Sequence, residues 1–221
     1  MNRKALALSA AMLFAAVAPA ARAASDEATL VTRAGIVVHD LRHDKEFGNA
    51  PELLRRAHAI FIVPQLVKGG FFVGGEGGSG VMLARTGAGW SEPAFYTMGS
   101  ASFGLQIGLE TAEVVMLIMS DRALNAFTKD EFKIGADAGL TVVTLGSNAG
   151  IATTANLNAD VIVWASSSGA YAGISVNGSI IKPRDSWNEA YYGSAVTSRE
   201  LLARPAANGR AVSLRGALTG S

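Results

Sequence analysis

The chain of 221 residues carries three histidines, His39, His43 and His58, and all stand before residue 60. His39 and His43 are four apart on a predicted helix, with Asp40 and Asp44 beside them. That spacing can place two imidazoles on one metal. The glutamate of H-E-x-x-H is absent, and a solvated polar face is the reading taken. Ser79, Ser100 and Ser102 sit near glycines, but none completes G-x-S-x-G. A Ser–His–acid triad assembles only in space, and three early histidines offer few bases. Glu110 and Glu113 are paired near a strand start, with nothing in the sequence to raise one pKa. Asp137, a lone acid among Ile134, Gly135, Ala136, Ala138 and Gly139, reads as a structural carboxylate. With no cysteine, disulfides, thiolate catalysis and Cys-ligated zinc or iron–sulfur clusters are excluded. No catalytic residue, metal set or cofactor site is assigned.

Gly75-Glu76-Gly77-Gly78-Ser79-Gly80 fits G-x-G-x-x-G. A nucleotide site needs such glycines between a strand and a helix whose N-terminus meets phosphate. Val81 to Arg85 is β-like instead, and Glu76 would set a negative charge in the cradle. A hairpin with a glycine turn is expected.

Two segments have the composition of an interaction surface. Lys68-Gly69-Gly70-Phe71-Phe72 sets a cation beside two large aromatics. Such a tip can enter a lipid interface, Lys68 on phosphate and Phe71 and Phe72 among acyl chains, with Arg55 and Arg56 as supporting charges. The second is the tail from Val196, where Arg199, Arg204, Arg210 and Arg215 face Glu200 alone. It reads either as a phosphate-facing patch or as a solvated, frayed end.

The elements that must position these residues begin with a helix. Ser25 is a capping hydroxyl before Asp26 and Glu27, and Leu30, Ala34, Val37 and Leu41 form one apolar stripe. Gly35 sits inside it, at a cost of about 1 kcal/mol relative to Ala. Pro51 opens a second short helix to His58. Ala59 to Val63 predicts a strand stopped by Pro64; Gly69–Gly75 and Ser79–Arg85 predict two strands around a glycine turn. Strands are expected over Phe95–Leu109, Val114–Met119, Phe132–Leu145, Asp160–Ser166 and Ala170–Ile181, the last with a hairpin turn at Asn177-Gly178. Asp121–Lys129 predicts a helix capped by Asp121, and Asp185–Tyr192 and Thr197–Leu202 predict two more. Glycines scattered through strands mark bends or close backbone approach, as a barrel-like sheet requires. The fold class expected is α+β: a curved, barrel-like antiparallel β-sheet with flanking N- and C-terminal helices.

An apolar content of 49% with 17% charged residues excludes a disordered chain. Asn2-Arg3-Lys4, the apolar run Ala5–Pro19 and Ala21-Arg22-Ala23 have the order of a secretory signal peptide. Residues 1–23 are expected to be removed, leaving 24–221 as a single domain. The mature chain then holds 16 basic and 18 acidic residues, against a general nucleic-acid partner. Export to a periplasm or beyond also removes easy access to nucleotide cofactors.

Ala59-Ile60-Phe61-Ile62-Val63-Pro64, followed by Lys68 through Gly80, resembles the core of the SYLF domain family. Trp90–Tyr96, Ser102–Gly108, Lys133–Gly139, Gly169–Ser175 and Asn188–Gly193 are similar to its later blocks, in the same order, over essentially Leu30 to Gly193. The resemblance implies a lipid-binding module. Eukaryotic SYLF proteins are associated with phosphoinositide-containing membranes, and some with actin; bacterial members are commonly exported and carry the domain alone. The expectation is an exported, non-enzymatic phospholipid-binding protein, periplasmic or secreted and peripherally membrane-associated, that binds a phospholipid membrane or individual phospholipids. The alternative is a structural or interaction protein: an envelope scaffold or surface antigen that takes envelope protein partners on an exposed sheet edge. A lipid-ester hydrolase is a third, lesser reading. In Asn188–Gly193 the aromatics are expected to be structural, with Gly193 ending the helix and the Asn188 amide bonding backbone at a strand end.

Overall fold

A computed structural model describes residues 25–44, 49–71, 73–103, 108–136, 139–146, 158–167, 176–207 and 209–220. The expected signal segment 1–23, Phe72 and Asp137 lie outside the described residues. In chain order the elements are α1 (Asp26–His43), α2 (Ala50–Arg56), β1 (Ala59–Phe71), β2 (Val73–Thr86), β3 (Gly89–Trp90), β4 (Ala94–Phe103) and β5 (Gly108–Ile118). Then come α3 (Asp121–Phe127), β6 (Phe132–Lys133), β7 (Val142–Gly146), β8 (Val161–Ser167), β9 (Ile180–Pro183), α4 (Asp185–Tyr192), α5 (Ser198–Ala203) and α6 (Val212–Thr219).

One curled sheet in the order β6-β9-β4-β2-β1-β5-β8-β7 carries the fold, with β3 paired to β2. Its pairs are antiparallel except β7 with β8, which run parallel. The protein is thus α+β, as the sequence predicts, with one parallel pair making the sheet mixed.

Over Ala59–Val63 and the strand segments paired with it, both faces of the sheet are buried. Phe61, Met82, Tyr96, Met116 and Val163 point to one core, closed by Phe127 of α3 and by Leu201 and Leu202 of α5. Ile60, Ile62, Leu83, Phe95 and Leu117 point to the other, closed by α1, α2 and α6. This two-sided burial explains why Ala59–Val63 and Val114–Ile118 read as continuous apolar runs instead of alternating ones.

Three local expectations are corrected. Pro64 does not stop β1. The register with β5 shifts between Val63 and Leu66, so Pro64 falls in a bulge where no ladder N–H is needed. The glycine run is not the turn: Gly74 to Gly80 lie within β2, and the hairpin reverses between Phe71 and Val73. At Gly80 glycine is required by close approach, since a Cβ would lie 2.5 Å from the Phe61 ring and 2.7 Å from the Ile62 carbonyl. Ser120, not Asp121, caps α3, its hydroxyl accepting the Ala123 N–H.

The tail is not frayed. Thr197 and Glu200 form a reciprocal capping box on α5, and α6 packs against α1 through Leu214 and Leu218. The remaining caps follow the sequence: Ser25 accepts the Ala28 N–H, and Gly193 ends α4 at φ 75°.

Candidate functional site

The distal end of the sheet is built from glycine-rich strand ends. Lys68 to Phe71, Val73 to Glu76, Ser100 to Phe103 and Gly108 to Glu110 run side by side there. Register sorts them into rows. Phe71 pairs with Val73, and Val73 with Phe103, so three apolar residues cross adjacent strands at the tip. Behind them come Gly70, Gly74, Ser102 and Gly108, then Gly69, Gly75, Ala101 and Leu109. A charged row, Lys68, Glu76, Ser100 and Glu110, lies three residues from the tip, about 10 Å along the strand. The arrangement is an apolar edge, two rows dominated by glycine, and a polar belt.

Within that belt Lys68 has a carboxylate partner. Its ammonium lies 3.3 Å from Glu76, the two side chains being only 18% and 5% exposed. Ser100 and Ser179 both donate hydroxyl hydrogen bonds to the same carboxylate, at 3.0 and 3.2 Å. Lys68 therefore closes a network joining β1, β2 and β4 to the start of β9.

Of the five residues singled out in the sequence, Phe72 lies outside the described residues, and the other four do not converge. Arg55 and Arg56 end α2, beside the first residue of β1, whereas Lys68 is nine residues along that strand from Ala59, about 30 Å away. Arg55 pairs with Glu52 within its own helix. Arg56 borders a cleft of about 350 Å³ with His58, Ser120 and Asp160. There His58 Nδ1 lies 2.7 Å from Asp121, while Ser120 donates to Asp160 at 2.6 Å instead of to an imidazole. Burial works to raise the pKa of Asp160. Hydrogen bonds from Ser120, the Thr141 N–H and Arg122 outweigh it and hold the carboxyl below its ordinary value.

Next to the distal rows, an open groove of about 500 Å³ separates α1 from the bulged sheet. Arg33, Ile36 and Val37 form its helical wall, and Pro64, Gln65, Ala112 and Glu113 its floor. Arg33 donates to Gln65 at 3.1 Å, and Ile36 is 57% exposed at the lip. Partial burial, then the nearby Asp40 charge, push Glu113 above the usual carboxylate range. The α1 face offers an apolar lip beside one cation, a feature that the helical stripe alone did not reveal.

The tail arginines are drawn into the fold. Arg199 donates to the Thr128 carbonyl, Arg204 pairs with Glu200, Arg210 donates to the Tyr191 carbonyl, and Arg215 pairs with the buried Glu92. The residues that sequence reasoning missed are Val73 and Phe103. Each is an ordinary apolar residue in the chain, and only strand register sets them beside Phe71.

Comparison with known proteins places the chain in a family. The Ysc84 family model, described as "Las17-binding protein actin regulator", matches residues 99–220, from within β4 to the end of α6. The chain is 33% identical over 156 residues to Protein YSC84 of Saccharomyces cerevisiae, covering 69% of this chain and 33% of that protein. It is 32% identical over 156 residues to LAS seventeen-binding protein 3 of the same species, covering 69% of this chain and 34% of that protein. It is 30% identical over 161 residues to SH3 domain-containing YSC84-like protein 1 of Homo sapiens, covering 70% of this chain and 47% of that protein. The chain thus spans a third to a half of these curated relatives, one of which is named for binding another protein. The family match extends past Gly193 through the helical tail, and the chain belongs to the Ysc84 (SYLF) family.

Proposed function

We propose that the protein is an exported, non-enzymatic phospholipid-binding module that meets a bacterial envelope membrane peripherally with the distal end of its sheet. The observation that carries this reading is the row Phe71–Val73–Phe103, an apolar edge set across three strands ahead of a polar belt. Burying a large apolar side chain is worth about 1.5–3 kcal/mol, so a row of three supports reversible attachment, not permanent anchoring. Phe72 stands between Phe71 and Val73 in the chain. Lys68 sits where an anionic headgroup would compete with Glu76 for its ammonium. Arg55 and Arg56, near the opposite end of β1, would make a separate contact. Among the described residues no helix is long and apolar enough to cross a membrane. Periplasmic or secreted localisation rests on the signal-like segment before residue 24.

The test is sedimentation of the processed protein with phosphatidylglycerol or cardiolipin vesicles at low and moderate salt. Binding that survives 0.3 M salt supports apolar insertion, since screening removes most surface electrostatics at that strength. Absence of binding at low salt would sink the reading.

One observation favours a second reading, an interaction protein with envelope protein partners. β7 is an edge strand, bonded only to β8 among the described residues, and unpaired edges recruit strands. The family's description, which speaks of Las17 binding, and the name of one relative, LAS seventeen-binding protein 3, point the same way. A partner retained after lipid removal, with no vesicle binding, would favour this reading over the first.

A further inference from the structure

The exposed face of α1 carries His39 and His43 one helical turn apart, with ring centroids 4.2 Å from each other and planes inclined by 30°. Each ring has its Nδ1 engaged. His43 Nδ1 lies 2.7 Å from the His39 carbonyl, an oxygen that can only accept, so this nitrogen carries the proton. His39 Nδ1 lies 3.4 Å from the Asp40 carboxylate, which likewise accepts. In both neutral rings the lone pair is then left on Nε2. Metal-binding histidines use this same division, one nitrogen donating to a carbonyl or carboxylate while the other meets the ion.

We infer that His39 and His43 form a two-imidazole site for a divalent first-row transition ion, with copper(II) held most tightly. A metal–nitrogen bond of about 2.0–2.1 Å requires the two Nε2 atoms about 2.9–3.4 Å apart, so the rings, stacked at 4.2 Å, must turn their Nε2 edges toward one shared point to hold the ion. The surroundings favour a cation: Asp40 adjoins His39, Asp44 follows His43, and Glu113 of β5 faces Asp40. Asp44 is also held in place, accepting the Trp164 indole N–H at 2.7 Å. Among the described residues no third imidazole or carboxylate completes a closed set. Water fills the other positions, which excludes a closed tetrahedral site and suits the tetragonal preference of copper(II). Copper(II) also tops the affinity order for nitrogen ligands.

Copper(II) chloride is titrated into the purified protein and followed by electron paramagnetic resonance. The expected result is one equivalent bound with the nitrogen hyperfine pattern of two equatorial imidazoles. Both positions are exposed, so His39→Ala and His43→Ala should fold normally, as circular dichroism checks. Each should weaken copper binding by more than the roughly 10-fold to 100-fold that loss of an outer-shell partner alone costs. His58→Ala, whose ring pairs with Asp121, should leave it unchanged. A one-nitrogen spectrum, no bound copper at micromolar protein, or affinity indifferent to His39→Ala would overturn the assignment.

Discussion

The side-chain oxygen of Asn188 accepts the backbone N–H of Phe95 at 2.9 Å across 93 residues of sequence, tying α4 to the start of β4. Asn188 is fully buried, and its amide nitrogen donates to Asp185 and Ser198. The neighbouring Tyr192 hydroxyl donates to the Pro93 carbonyl at 2.7 Å, so two residues of one helix hold one strand end. Asn188→Ala leaves the Phe95 N–H without its partner and should cost about 1–3 kcal/mol in denaturant unfolding. Vesicle binding by the folded variant should be unchanged, because this contact lies away from the distal rows.

Two glycines make opposite predictions. A Cβ on Gly80 would press into the Phe61 ring and the Ile62 carbonyl, so Gly80→Ala should destabilise by about 1–3 kcal/mol, as overpacked core positions do. A Cβ on Gly35 would meet only the Leu214 backbone at 3.6 Å, ordinary contact distance. Gly35→Ala should therefore stabilise α1 by about 0.5–1 kcal/mol. Thermal melting of the two variants side by side checks both signs.

Glu113 makes stability fall as pH rises. Its folded carboxyl holds its proton above the usual range, first through burial and then through Asp40. The folded state is thus favoured below the unfolded value of 4.5, and that advantage is lost as pH climbs through the raised folded value. Glu113→Gln should be more stable than the parent at pH 7 by a few tenths to about 1 kcal/mol, the groove being open to screening water. The difference should vanish near pH 4.

Asp160 works in the other direction. Its lowered pKa contributes stability above the unfolded value of 3.8, lost as pH falls through the folded value. Asp160→Ala leaves the Ser120 hydroxyl, the Thr141 N–H and Arg122 without this acceptor, and should cost about 1–3 kcal/mol at pH 7. An acid titration of unfolding should then lack part of the parent's low-pH loss.

What could be read from the chain was what is decided locally. The Ser25 cap, Pro51 in the first turn of α2, and Gly193 in a left-handed conformation each depend on a few neighbouring residues, and the sequence names them. Passage of β1 through Pro64 depends on two partner strands that accept a bulge, which no local pattern declares. α6 escaped notice because its N-cap, Ala211, supplies no side-chain acceptor, and its stability comes from packing Leu214 and Leu218 on α1. The site divides likewise. Lys68 and Phe71 are conspicuous by type, but the row with Val73 and Phe103 exists only once register is known. The buried Glu76 network that engages Lys68 likewise needs β4 and the start of β9 in place.

The central claim, that the distal apolar row meets phospholipid, is tested most directly by partition constants on phosphatidylglycerol–cardiolipin vesicles for the parent and for Phe71→Ser/Phe103→Ser. Each lost side chain removes about 1.5–3 kcal/mol of apolar transfer, so the double variant should bind at least 100-fold more weakly at 0.3 M salt. Its melting temperature should stay within about 3 °C of the parent, a shift of under about 1 kcal/mol for a domain of this size. Equal partitioning of the two proteins, with the parent bound, would contradict the account.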